Sequence, residues 1–234
     1  MLGIKPFWNY YGGKWRAALR YPSPRHGHII EPFAGAAGYS LRYPDYDVTL
    51  VDAYPVIAGI WRYLIATPPG EIMLIPCVES VDDLPPWVPQ EARWLVGFCM
   101  NTGVAAPCKV LSKRNRYLRD TGSAIWGWSP GRRDLVARQV ERIRHWRVIE
   151  GDYTNAPNVT ATWFVDPPYN NKAGCIYKHK FSDYDTLGAW ARTRAGQVIV
   201  CENEGATWLP FHSFMKISQS INGKTSMEAI WTND

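Results

Sequence analysis

No stretch of this 234-residue chain approaches the roughly 18 to 20 consecutive apolar residues that a membrane span needs. The opening residues, MLGIKPFWNYYGGKWR, also lack the apolar core and small-residue cleavage site of a signal peptide. Both absences predict a soluble, cytoplasmic protein with no membrane partner. Cysteine is sparse: Cys77, Cys99, Cys108, Cys175 and Cys201 are odd in number, scattered, and form no CxxC pair. A disulfide framework or a structural zinc site needs better spacing, so reduced thiols are expected. The histidines, His26, His28, His145, His179 and His212, form no HxxxH pattern and no HxH beside an acid. No metal site is predicted. No serine sits in a GxSxG elbow, and Cys99 and Cys108 lack the context of a nucleophile. Repeats and low-complexity tracts are absent.

What is present is globular composition, 46% hydrophobic and 20% charged, in a length that suits one core and one domain with a small insertion. A monomer or weak dimer is expected, with no obligate protein partner. The net charge of +5 is uneven: residues 109–147 hold eleven Lys or Arg against three acids, a local +8 that leaves −3 elsewhere. A basic block on a near-neutral body suits a polyanion, although a solvated helix face has the same composition.

Short runs rich in Val, Ile and aromatics predict strands at His28–Phe33, Val48–Val51, Arg147–Glu150, Trp163–Val165 and Val198–Cys201. Two further strands are expected at Phe214–Ile217 and Ala229–Trp231. Stretches compatible with helix lie between them, at Gly38–Tyr43, Pro55–Ala66, Gln90–Met100, Arg132–Trp146 and Tyr184–Arg194. The alternation predicts an α/β fold with a mostly parallel central sheet, whose ligands sit beyond the carboxyl ends of the strands. Region 67–89, rich in Pro and acid, reads as a surface excursion. Region 101–131 has no clear period and reads as an inserted lobe, with Trp126 and Trp128 forming a small core there or, as the alternative, wedging into a gap in a duplex.

Three motifs carry the chemistry. The first is EPFAGAAG at 31–38, between a strand and a possible helix. Gly35 and Gly38 would let a ligand press against bare backbone, and a helix N-terminus would offer it free N–H groups. Any tight strand–helix turn likes glycine, so this motif alone is weak. The second is Asp52, closing the next strand about 20 residues after the glycine turn, where a carboxylate can accept both ribose hydroxyls of a nucleoside cofactor. A helix-capping aspartate is the plainer alternative.

The third is Asp166-Pro167-Pro168-Tyr169, closing the strand Trp163–Val165. Two prolines remove two backbone donors and stiffen the turn. A donor-poor loop suits recognition of an amino group: Asp166 can accept one N–H and the Pro167 carbonyl the other. That draws the nitrogen lone pair out of conjugation and towards an electrophilic carbon. Tyr169 offers a face for an extruded base, worth about 1–3 kcal/mol of stacking.

With these residues in place, the chain resembles the Dam-type class of S-adenosylmethionine-dependent DNA adenine N6-methyltransferases, in which the glycine turn precedes the recognition lobe and the DPPY motif follows it. The resemblance runs through most of the chain. Tyr10-Tyr11-Gly12-Gly13-Lys14 is similar to the family's aromatic-x-Gly-Gly-Lys element, which contacts the cofactor. Glu31, Phe33 and Gly35 fall in its cofactor loop, and Asp52 matches the acid that holds the ribose. Gly151-Asp152-Tyr153 resembles the segment that meets the cofactor's adenine, Asp152 by hydrogen bond and Tyr153 by stacking. Ser220-Ile221-Asn222-Gly223-Lys224 is similar to a loop ahead of a terminal strand. The chain departs from the family's Phe-x-Gly-x-Gly pattern, with Ala37 at the second glycine and Gly38 one place late. Tyr10 stands where Trp is frequent, and the lobe is short.

The resemblance implies a Rossmann-like methyltransferase domain, 1–89 with 147–234, interrupted by a target-recognition lobe at 90–146. It implies S-adenosylmethionine as cofactor, catalysis by Asp166, Pro167 and Tyr169, and Asp166 also beside the cofactor. It implies double-stranded DNA as partner, with Asn101, Lys109, Lys113, Arg114, Arg116, Arg119, Arg132 and Arg133 contacting it. The amino nitrogen is out of reach inside the stack, so base flipping follows. The compact size fits a bacterial or phage-encoded enzyme. Three alternatives stay open: transfer to RNA or to cytosine N4, transfer to a protein amide, and a catalytically silent DNA-binding protein that keeps the cofactor pocket.

Overall fold

The computed structural model describes residues 3–122, 126–171, 174–218 and 225–233. The segment 220–224, read above as a loop ahead of the last strand, lies outside the described residues.

All seven expected strands form: β1 His28–Glu31, β2 Asp47–Asp52, β3 Arg147–Glu150, β4 Ala161–Val165, β5 Gly196–Asn203, β6 His212–Ser218 and β7 Thr225–Thr232. They make one sheet in the order β3-β2-β1-β4-β5-β7-β6. The first five run parallel, β7 is antiparallel to β5, and β6 is antiparallel to β7. This is the mixed, Rossmann-like α/β architecture that the alternation of strand and helix predicts. The chain builds outward from β1 through β2 to β3, then returns to lay β4 on the other side of β1. That reversal opens a crevice at the carboxyl ends of β1 and β4.

Both faces of the sheet are covered, which is why the central strands read as nearly unbroken apolar runs. Strand periodicity divides them between two cores. Ile29, Leu50, Phe164, Ile199 and Ile230 point to one side, where the helices α1 (Pro55–Ala66) and α3 (Gln90–Met100) pack. Ile30, Val51, Trp163, Val165 and Val200 point to the other, against Leu187 and Ala191 of the helix α6 (Tyr184–Arg192). Burying each large apolar side chain stabilises by roughly 1.5–3 kcal/mol, and the aromatic cluster of Phe7, Trp8 and Trp61 anchors the N-terminal segment in this way.

Several expectations are corrected. Gly38–Tyr43 is not an α-helix but a single 3-10 turn at Ser40–Arg42. Tyr39 is pulled inward, stacked on Phe164 at 4.3 Å with its hydroxyl donating to the Pro22 carbonyl, and Pro44 follows at once. No room is left for an amphipathic helix. The stretch 132–146 splits into the helix α5 (Pro130–Gln139), capped by the Ser129 hydroxyl, and a 3-10 turn at Val140–Ile143. Two short helices escaped the sequence reading: α2 (Pro69–Leu74) and α4 (Lys113–Thr121).

Side chains from residues 90–146 pack into the main core. Val96, Phe98 and Met100 of α3, Val136 of α5, and Trp128 all belong to the core shared with β1 and β2. Trp128 therefore serves the main core rather than a local one. Leu111 joins the same core, with Val104 and Cys108 packed against it, and isolated bridges Val78↔Trp128 and Ser80↔Val110 tie residues 110 and 128 to the segment 78–80.

Candidate active site

A cavity of about 300 Å³ lies over the carboxyl ends of the parallel strands. Tyr10, Lys14, Glu31, Phe33, Gly35, Asp52, Asp152, Tyr153 and Asp166 all line it. Residues scattered over more than 150 positions of sequence thus converge on one wall-to-wall site.

Four neighbouring strands, β3-β2-β1-β4, each deliver an acid to the cavity at or just past their ends: Asp152, Asp52, Glu31 and Asp166. Asp52 holds the turn together. Its Oδ2 accepts the Gly35 N–H at 2.8 Å and its Oδ1 accepts the Tyr54 N–H at 2.9 Å. Burial pushes its carboxyl up to about 6, with those two N–H donors opposing the rise. Each oxygen keeps acceptor capacity towards the cavity. Glu31 is nearly fully buried, accepts the Ser40 N–H at 2.7 Å, and is pushed up by burial to about 8. It is mostly neutral at pH 7.

The glycine turn works differently from the sequence expectation. Gly35 is left-handed (φ 45°), and a Cβ there would meet the Tyr10 ring at 3.0 Å. The Trp61 indole of α1 donates to the Gly35 carbonyl at 2.8 Å. Gly38 makes room for protein rather than ligand, since a Cβ would lie 2.6 Å from the Trp15 nitrogen and 2.8 Å from that of Lys14. Ala37 adopts φ 49°, a left-handed backbone that glycine would take at less cost. Only a 3-10 turn follows, and its Ser40 N–H is taken by Glu31.

Asp166 forms the far wall. Lys14 Nζ donates to both its oxygens, at 2.8 and 2.9 Å, and to the Gly12 carbonyl at 3.2 Å. Burial raises the Asp166 carboxyl to about 6, Lys14 opposing and Glu228 adding to the rise. Burial works against the Lys14 ammonium, but the charges of Asp166 and Glu228 outweigh it and hold the lysine protonated. Ligand atoms of Asp166, Cys201 and Glu228 lie within 4.8 Å of one another, and the cation among them is this ammonium.

Pro168 lines the cavity, whereas Pro167 and Tyr169 are not among its walls. The Tyr169 hydroxyl donates to Glu228 Oε1, and Lys14 Nζ sits 4.8 Å from its ring centroid. One face of the expected stacking platform is thus covered by the lysine.

Opposite, Phe33 and Tyr153 stack at 5.7 Å with an interplanar angle of 21°, and Phe181 meets both edge-on. Tyr177 closes the rim: its hydroxyl donates to the Tyr11 carbonyl, and its ring meets that of Tyr11 edge-on at 5.6 Å. Sequence reading missed Tyr177, Phe181 and Glu228. Only Glu228 left a trace, as a lone acid running into the apolar Ala229–Trp231.

The expected DNA contacts divide sharply. Asn101 is a strut, its side chain bonding the Val110 carbonyl and the Ser112 N–H. Arg116 and Arg119 both pair with Glu79. Arg132 is buried and donates to the Pro6 carbonyl, and Arg133 donates to the Ile75 carbonyl. Much of the local +8 is therefore paired within the fold. Lys109, Lys113 and Arg114 are exposed.

No protein-family model matches the chain, and no curated protein matches it. Among solved structures it is similar to "Putative methyltransferase yhhF from Escherichia coli", at 10% identity and a TM-score of 0.35, over 93% of this chain and 79% of that one. A likeness so low carries no argument about chemistry. The fold and cavity by themselves define an α/β protein with a cavity at the switch point of its sheet.

Proposed function

We propose that this protein is a DNA adenine N6-methyltransferase using S-adenosylmethionine. The single observation that carries this reading is the shared wall: Asp166, which opens a donor-poor Pro-Pro turn, faces the same cavity as Asp52, Asp152 and the Phe33–Tyr153 pair.

The residues fit the cofactor by their chemistry. Asp52 would take its ribose hydroxyls, Asp152 the exocyclic amine of its adenine, and Phe33 and Tyr153 the flat face of that ring. Asp52, Asp152 and Asp183 on the cavity walls offer carboxylate partners to a cationic nucleoside, beside Lys178, His179 and Lys180 in the same lining. When bound, S-adenosylmethionine supplies a methyl carbon made electrophilic by its sulfonium.

The chain's own residues bind and orient the target amine. Asp166 accepts one N–H of the amine, which draws the nitrogen lone pair out of the ring's π system. Tyr11 and Tyr177 form the aromatic rim at that point. A target approaching through this rim must be out of its stack, as a flipped base is.

For the polyanion, Lys109, Lys113 and Arg114 are the exposed cations of the 101–127 stretch. They connect to the rim in two steps. Asn101 braces the start of α4, and the nearby Val104 carbonyl accepts the Tyr11 N–H at 3.0 Å. Among the described residues no helix is long and apolar enough to cross a membrane.

The test is transfer from tritiated S-adenosylmethionine to duplex DNA, RNA and a protein extract in parallel, with nucleoside analysis of the product. Label in N6-methyladenine from DNA supports the reading. Label confined to RNA, cytosine or protein overturns it, and cofactor binding without any transfer marks a silent binder.

A further inference from the structure

Glu228 sits on β7 with 3% of its surface exposed, paired across the sheet with Asn203 of β5. Its Oε1 accepts the Tyr21 hydroxyl at 2.9 Å and also the Tyr169 hydroxyl. The same oxygen lies 3.6 Å from Lys14 Nζ, the ammonium that holds both oxygens of Asp166. Two buried carboxylates therefore share one cation.

This arrangement poses a problem for the reaction. An ammonium has three donors, and here they go to Gly12 and to the two Asp166 oxygens. A target amine that takes one Asp166 oxygen displaces one of those bonds. The freed donor is buried and needs another acceptor. Glu228 Oε1 stands 3.6 Å from Lys14 Nζ, so a short movement brings the ammonium in as a third donor to a charged oxygen that already accepts two tyrosine hydroxyls.

Resting on the reading of Asp166 as acceptor of the target amine, we propose that Glu228 is a positioning residue for methyl transfer: it receives the Lys14 ammonium as the substrate engages Asp166, and it fixes the Tyr169 ring meanwhile. The negative charge of Glu228, not its shape alone, carries the effect. Without that charge Lys14 would neutralise Asp166 alone and compete with the amine.

The experiment compares wild type, E228Q and E228D. Single-turnover methyl transfer to adenine-containing duplex DNA is measured alongside calorimetric binding of S-adenosylhomocysteine. E228Q keeps an oxygen for the two tyrosine hydroxyls and loses the charge, whereas E228D keeps the charge on a shorter arm. The expected result is a fall of about tenfold or more in the E228Q transfer rate, with binding changed by less than about threefold and E228D faster than E228Q. In cofactor-free protein, the ¹⁵N resonance of the Lys14 ammonium, identified by its loss in K14M, should shift in E228Q.

A wild-type rate in E228Q overturns the inference. So does an E228D rate no better than that of E228Q, which marks a role in shape alone, or an unmoved Lys14 resonance. Absence of transfer by the wild-type protein overturns the underlying reading, and the inference with it.

Discussion

The carboxylate of Asp52 accepts the backbone N–H of Gly35 at 2.8 Å, tying the end of β2 to the turn that follows β1. One side chain thereby shapes the glycine turn and faces the cavity beside it. Asp166 plays no such part in the backbone, being held by Lys14 instead.

The two acids should therefore fail in different ways. Asp52→Asn is expected to raise the dissociation constant for S-adenosylhomocysteine by about 10- to 100-fold, the loss of charge-assisted hydrogen bonds. Transfer at saturating cofactor should largely persist. Asp166→Asn is expected to cut transfer by about 10²- to 10⁴-fold with little change in cofactor affinity. Calorimetry with single-turnover kinetics separates the two, and equal loss of cofactor binding in both variants would remove Asp166 from the target amine.

Ala37 and Gly38 carry opposite expectations. Ala37→Gly relieves a left-handed alanine but loses a fully buried methyl and adds freedom to the unfolded chain, so stability should stay within about 1 kcal/mol. Gly38→Ala drives a Cβ into the backbone of Lys14 and Trp15. A loss of about 1–3 kcal/mol is expected, with transfer impaired because Lys14 moves. Denaturant unfolding gives both numbers, and a neutral Gly38→Ala would mean the N-terminal segment packs elsewhere.

Glu31 makes stability depend on pH. Its carboxyl stands at about 8 in the folded chain against an ordinary 4.5, so between those values the native state holds a proton that the unfolded chain has lost. The contribution is fully present below 4.5 and disappears as pH rises through 8. Glu31→Gln, a neutral mimic, should match wild type at about pH 4 and become increasingly more stable up to about pH 8, then level off. Thermal midpoints across that range decide it. A difference independent of pH would show that Glu31 is not perturbed.

The exposed and the paired cations should respond differently to salt. If Lys113 and Arg114 meet phosphates, replacing both by Ala should lower the slope of log affinity against log salt by about two. Replacing Arg132, buried against Pro6, should reduce stability and leave that slope unchanged. Binding titrations at several salt concentrations distinguish these outcomes, and an unchanged slope in the double variant would move the DNA surface away from α4.

The strands were legible because both faces of the sheet are buried, and a buried strand must be apolar along its length. The acids that close them were legible for the complementary reason: a charge directly after an apolar run marks where the chain leaves the core. The supposed helix at Gly38–Tyr43 was misread because its residues tolerate a helix, while the inward pull of Tyr39 onto Phe164 is a tertiary fact. The pairing within the basic block was hidden for a similar reason. Composition counts arginines, but whether Arg116 faces a phosphate or Glu79 depends on where residue 79 lies.

Sequence alone determined the α/β alternation, the strand ends, and the identity of the turn that opens with Asp166, because local periodicity and proline stiffness are properties of neighbouring residues. Tertiary structure decided that Lys14 and Glu228, 214 positions apart, meet at Asp166, and that the glycine turn receives backbone from the N-terminal segment. Such meetings depend on strand order and packing, which no short window of residues encodes.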